Sequence, residues 1–207
     1  LSTTQLSEMQ RDALGELFNI GMGNAAAALS EMLDDEILLS VPYLDCMHIK
    51  QAQKLLSNPD DRKLDAVEQE FEGKFSGNAF LFFGEQSSLE LVRRILGSEV
   101  SLDILSELEH EALKEVSNII LNACFGCIGE ILNNELEGGI PNLRSGTIDY
   151  IMNSKNLGLG DDPLVLMLSM TFSLPNKLIS GQVSFVMTAA SMDSLLTELN
   201  KYLAVQL

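Results

Sequence analysis

Basic side chains are scarce in this 207-residue chain: 13 Lys and Arg stand against 30 Asp and Glu, a formal net charge of -17. A surface so acidic repels phosphate backbones and anionic lipid, which excludes nucleic-acid and polybasic membrane roles. A basic or mixed-charge protein partner fits it better. Cysteine is scarce too. Cys46, Cys124 and Cys127 are too few, and odd in number, for a secreted disulfide framework, so a reduced, cytoplasmic setting is expected. No run approaches the ~20 apolar residues of a membrane helix. The densest, Asn78–Phe83 and Pro163–Phe172, are strand-length. The first residues are polar and lack a basic stretch, so no signal peptide is expected. His48 and His110 have no ligand-spaced neighbours, and no metal centre is expected from them. What is left is an ordinary globular mix, 46% hydrophobic and 21% charged, on a chain long enough to bury a core without staples.

The organising feature is an internal repeat. Residues Asp12–Leu44 align without gaps on Glu111–Leu143, with identities that include Glu16/Glu115, Asn19/Asn118, Ile20/Ile119, Glu31/Glu130, Glu36/Glu135 and Pro42/Pro141. Ser76-Gly77, an apolar strand and Leu91 are echoed by Ser180-Gly181, an apolar strand and Leu195. No Pro/Ser linker or low-complexity stretch separates the copies. A single domain over residues 1–207 is expected, with repeat one at 1–99 and repeat two at 100–207 sharing one core about a pseudo-two-fold axis.

Each copy reads as a long helix, a few strands and a short closing helix. The first predicts a helix over Thr4–Leu33, strands near Ile37–Val41, Glu68–Phe75 and Asn78–Phe83, and a helix from Ser87 or Ser88 through Leu96 that ends at Gly97. The second predicts a helix over Ser106–Leu132, strands near Gly146–Met152, Leu164–Phe172 and Leu178–Met187, and a helix over Met192–Leu203. Strands joined by short connections imply an α+β, sandwich-like fold: two long helices packed on one side of an antiparallel sheet.

At 3.6 residues per turn, Asp12, Glu16, Asn19, Gly23 and Ser30 share one narrow band of the first helix, with Ala26 and Ala27 at its edges. The opposite face, Leu14, Leu17, Phe18, Gly21, Ala25, Leu29 and Met32, reads as core. In the second long helix the band is Glu111, Glu115, Asn118 and Asn122, and the core face is Leu113, Val116, Ile120, Cys124, Cys127, Ile128 and Ile131. The same Glu-x-x-Asn on the same edge twice, each with a proline at the same distance beyond it, is the specific signal. Asn and Gly are both poor interior helix residues. Finding them in one polar stripe suggests a surface that something must approach closely. Tight helix packing would account for the small residues Gly21 to Ala28, and leaves the repeated Glu and Asn unexplained.

A carboxylate and an amide, with no nucleophile, metal cluster or histidine beside them, can do little covalent chemistry. An amide can hold a water through one donor and one acceptor bond. Phosphoryl transfer rewards such placement, because it needs positioning and charge stabilisation more than covalent help. The carboxylate could pair with a cation on a phosphorylated partner.

Asp12-x3-Glu16-x2-Asn19-x22-Pro42, followed within the helix by Gly21-Met-Gly23-Asn-Ala-Ala-Ala-Ala-Leu-Ser30, resembles the signature of the CheC/CheX/FliY family of chemotaxis phosphatases. Glu111-x3-Glu115-x2-Asn118-x22-Pro141 is its second copy, and two copies are most like CheC. FliY continues into a flagellar-switch domain, which is not expected within these 207 residues. The resemblance implies an α/β fold with two pseudo-symmetric helices on an antiparallel sheet. It implies hydrolysis of the aspartyl-phosphate of a CheY-type response regulator, with Glu16 and Glu115 docking the regulator through its lysine. Asn19 and Asn118 would position the attacking water. Asp12, Gly23, Glu111 and Asn122 would contact the partner. No cofactor of its own is implied, since the phosphorylated partner would hold Mg²⁺, and CheD is an implied second partner. Glu111 where the family usually has Asp or Ser, and Asn122 where the first copy has Gly23, imply two unequal sites. A docking module that binds the regulator or CheD without hydrolysis is the alternative, and a duplicated oligomerisation domain a third reading.

Other signals carry less. Gly21-Met-Gly23-Asn-Ala-Ala imitates a dinucleotide fingerprint, but sits within a helix rather than after a strand. Cys124-Phe-Gly-Cys127 lies on a core face, away from the helix N-terminus that would activate a thiol. Asp34-Asp35-Glu36 and Asp161-Asp162 read as solvated turns.

Overall fold

A computed structural model describes residues 5–57, 64–83, 92–93, 102–174 and 177–206. The first long helix, α1 (Glu8–Leu33), begins at Ser7, whose hydroxyl accepts the Gln10 amide while the Gln10 side chain accepts the Ser7 N–H. This capping box satisfies two donors that a helix start leaves open. The helix stops at Asp34, which turns into the left-handed region at φ 50° and returns its N–H to Ser30. Beyond the second long helix, α3 (Leu102–Ile131), Asn133 occupies the aligned position and adopts the same φ of 50°. Short polar side chains tolerate that conformation better than branched ones.

Between and after them lie β1 (Leu38–His48), α2 (Ile49–Leu56), β2 (Leu64–Gly73), β3 (Gly77–Phe83), β4 (Leu136–Gly138), β5 (Asn142–Gly146), α4 (Ile148–Ile151), β6 (Leu164–Leu174), β7 (Lys177–Met187) and α5 (Ala189–Gln206). The strands form one antiparallel sheet in the order β1-β6-β7-β3-β2-β4, with β5 pairing β2 on the same side as β4. Strands of the two halves are interleaved: β1 lies on β6, and β2 carries β4 and β5.

The main core lies between one sheet face and α1, α3 and α5, where Phe18, Phe71, Phe125 and Phe185 meet with ring centroids 5.3 to 6.1 Å apart. Each such ring buries a large apolar area and adds roughly 0.5–1.5 kcal/mol per pair beyond it. The α+β class and the antiparallel sheet agree with the sequence reading, but the helices are not confined to one side. Ile49 and Ala52 of α2 and Ile148 and Ile151 of α4 cover the other face over Met47, Phe80, Phe82 and Val165.

Local boundaries differ where tertiary contacts win. β1 does not stop at Val41; it runs through Pro42 to His48, because the residue without an N–H sits at a register shift on the border of the sheet. The strand expected over Gly146–Met152 is instead the end of β5 and the single turn α4, which buries Ile148 and Ile151 three residues apart. The expected strand Glu68–Phe75 begins earlier, at Leu64, and ends at Gly73. The helix expected from Ser87 or Ser88 to Gly97 lies outside the described residues except for Val92 and Arg93, as does Thr4. Met32, expected in the core, is 41% exposed.

Candidate functional site

The core face of α1 is occupied as its periodicity requires. Leu14, Leu17, Phe18, Gly21, Ala25 and Leu29 are buried, while Asp12, Glu16, Asn19 and Gly23 form an exposed band. The two glycines have different jobs. A Cβ on Gly21 would lie 3.1 Å from the Ala123 carbonyl oxygen and 3.3 Å from Cys124 Cα, so Gly21 permits α1 and α3 to touch. A Cβ on Gly23 would meet nothing within 4 Å, so that glycine leaves the outer surface open.

Asn19 is exposed yet fixed. Its Oδ1 accepts the Val41 N–H at 2.9 Å, and its Nδ2 donates to the Gly15 carbonyl one turn back at 2.8 Å. The motif proline explains itself here. Pro42 breaks the register of β1, and the N–H of the preceding Val41 is released to the helix. An amide has two donor hydrogens and two acceptor lone pairs. One of each is used internally, and one of each faces outward. Glu16 lies one turn from Asn19 and has no hydrogen bond or ion pair among the described residues. Asp12 and Glu16 border a shallow depression with Glu8, Met9, Ala13 and Leu203.

The second band is built differently. Glu115 is exposed and free of partners among the described residues, while Glu111 is paired with Lys114. Asn118 does not bond to the backbone before Pro141. Its Oδ1 accepts Asn122 Nδ2 at 2.7 Å and lies 3.4 Å from Nε2 of Gln69, a strand residue only 1% exposed. Gln69 also donates to Asn122 Oδ1 at 3.1 Å and to the Gly139 carbonyl at 2.8 Å. Sequence reasoning missed Gln69. The signal available was the pair Gly138-Gly139, which stands where the first copy has Leu39-Ser40 and leaves room for an inserted side chain.

All three cysteines are free and buried. Burial pushes the Cys124 thiol up to about 12 and the Cys46 thiol up to about 11, and also raises Cys127, whose Sγ donates to the Leu17 carbonyl. Such thiols are not nucleophiles near neutral pH. No group of His, Cys, Asp and Glu suited to a metal occurs among the described residues, and no described helix is long and apolar enough to cross a membrane.

The model of the CheC-like family matches residues 9–44, which hold Asp12, Glu16, Asn19 and Pro42 together. Over these residues the chain is similar to that family. It is similar to the flagellar motor switch phosphatase FliY of Bacillus subtilis (strain 168), with 24% identity over 170 residues, covering 79% of this chain and 42% of that one. It is similar also to the CheY-P phosphatase CheC of the same organism, with 22% identity over 139 residues and 66% of each chain covered. The chain thus spans less than half of the FliY relative. Among solved structures, Thermotoga maritima FliY has the same fold at a TM-score of 0.76 and 18% identity, covering 95% of this chain and 98% of that one. The FliM middle domain from H. pylori matches at 0.61 and 16% identity, over 93% and 99%. The structure of a CheX-CheY-BeF3-Mg complex from Borrelia burgdorferi matches at 0.50 and 16% identity, over 81% and 96%. The fold, with its mixed α and β layers and antiparallel sheet, is therefore shared with these solved structures.

Proposed function

We propose that the chain is a cytoplasmic phosphatase acting on the aspartyl-phosphate of a CheY-type response regulator. Asn19 positions the water, Glu16 docks the regulator through its lysine, and Asp12 and Gly23 form the surrounding contact rim; Asn118, Glu115, Glu111 and Asn122 are the matching residues of the second stripe. The water oxygen bonds to phosphorus as the bond from phosphorus to the aspartate oxygen breaks, which releases inorganic phosphate and the free carboxylate. Mg²⁺ held by the phosphorylated partner would supply charge neutralisation for that step.

The observation that carries this reading is the way Asn19 is held. Its amide is immobilised by Val41 and Gly15 but keeps one donor and one acceptor outward, beside a carboxylate with no partner among the described residues and a glycine with open space above it. A water held by such a pre-set amide needs no reorganisation at the moment of attack. The partner is supported by the relatives' names: one is a CheY-P phosphatase, and a protein of like fold is in complex with CheY, BeF3 and Mg. CheD is proposed as a second partner on the family resemblance alone.

The test is loss of acyl phosphate from a phosphorylated CheY-type regulator, with and without the protein. Decay is expected to quicken, and Asn19→Ala to cost about 100-fold at that site, the scale set by misplacing a reacting group. Glu16→Gln removes a charged hydrogen bond and is expected to raise the regulator concentration for half-maximal rate about tenfold, with less effect on the limiting rate. A regulator that binds all forms equally but never decays faster would leave the docking-module reading in its place.

A further inference from the structure

The two copies of the stripe meet different strand residues. Opposite the Val41-Pro42 shift of β1 stands Met170 of β6, buried and apolar, so the first amide takes its bond from the Val41 backbone. Opposite the Gly139–Pro141 break between β4 and β5 stands Gln69 of β2, pointing at the helix layer. Ile140, aligned with the buried Val41, is 90% exposed. Gly138 makes the insertion possible, since a Cβ there would lie 2.6 Å from both Gln69 Nε2 and Asn122 Oδ1.

The orientation of the Gln69 amide is set by its surroundings. Nε2 faces three oxygens, those of Gly139, Asn122 and Asn118, and reversing the amide would turn Oε1 against all three. In this orientation Oε1 is buried without a partner, which is unfavourable for folding. An internal amide that carries an unmet acceptor in order to reach two asparagines is not there for packing alone.

We infer that Gln69 and Asn122 hold the second site shut, so that the phosphatase activity proposed above, on which this inference rests, runs through Asn19. Orienting a water for in-line attack requires an acceptor for one of its hydrogens. Asn19 Oδ1 keeps a lone pair for it. Asn118 Oδ1 already takes Asn122 at 2.7 Å and has Gln69 Nε2 at 3.4 Å, where a water would have to sit. Gln69 is a positioning residue: it acts through Asn118 and touches no substrate.

Two measurements test this. In ¹⁵N-labelled protein, the Gln69 side-chain amide protons are expected to exchange with water on the order of tenfold more slowly than those of exposed Gln5; equal rates overturn the lock. In the decay assay, Asn19→Ala is the starting point. Adding Gln69→Met, which mirrors Met170 and removes the unmet oxygen, together with Asn122→Ala is expected to raise its rate about tenfold. A further Asn118→Ala should abolish that gain. Asn122→Ala alone, at an exposed helix position, repeats the test without altering the core. No gain in either opened variant, or an Asn19→Ala protein that keeps most of the wild-type rate, overturns the inference. A wild-type protein that hastens nothing removes the phosphatase reading instead, and the exchange measurement still decides whether the lock exists.

Discussion

Gly21 and Gly23 differ by two positions and have opposite consequences. Gly21 is where α1 meets the backbone of α3, so Gly21→Ala forces neighbours apart and is expected to cost roughly 1–3 kcal/mol, the range for overpacking. Gly23 has no neighbour to displace, so Gly23→Ala is expected to stabilise by up to about 1 kcal/mol through helix propensity, while slowing regulator decay. Urea unfolding and the decay assay, run on both variants, separate the two roles. At this scale the exposed band was legible, because a helix period sorts residues without knowledge of what lies opposite. Gln69 was not legible. A lone glutamine in a strand has no periodic signature, and its meaning depends on α3, which arrives from a distant part of the sequence.

Among the elements, α5 shows how a mostly buried carboxylate can tie a helix to the turn between β2 and β3. Hydrogen bonds from Lys201 and then Lys74 hold the Glu198 carboxyl down to about 2, against an ordinary value of 4.5. A carboxyl whose folded value is lowered gives stability that is fully present above 4.5 and is lost as pH falls toward 2. Acid titration of the wild type should therefore show a loss of stability in that window that Glu198→Gln largely removes, as read by thermal melts from pH 5 downward. The long helices and the apolar strands β3, β6 and β7 were legible, since their patterns span many residues. The expected strand at Gly146–Met152 failed because alternation over a short stretch cannot separate a strand from one helical turn that buries every third residue. Likewise α2 and α4 exist to cover a sheet face whose exposure only the assembled sheet reveals.

For the molecule as a whole, the acidic surface and the site pull in one direction. With a net charge of -17, encounter with a regulator that presents a lysine should be quickened at low ionic strength. The apparent second-order rate of decay is expected to fall several-fold between about 0.01 and 0.15 M salt, as the screening length shrinks from ~30 to ~8 Å, while the limiting rate changes less. The interleaving of strands was not legible in the sequence, because strand order depends on which partners win and not on any one segment.

The prolines of the motif have a consequence beyond the amide they serve. Pro42 lies in β1 at one border of the sheet, and Pro141 lies between β4 and β5 at the other. A sheet border with an unbroken row of free N–H groups is a template for stacking further chains, and a proline with a local kink blunts it. The residue that releases a backbone donor toward Asn19 thus also guards a flank against aggregation. Replacing it to probe the site would put the protein's resistance to fibre-like assembly at stake as well.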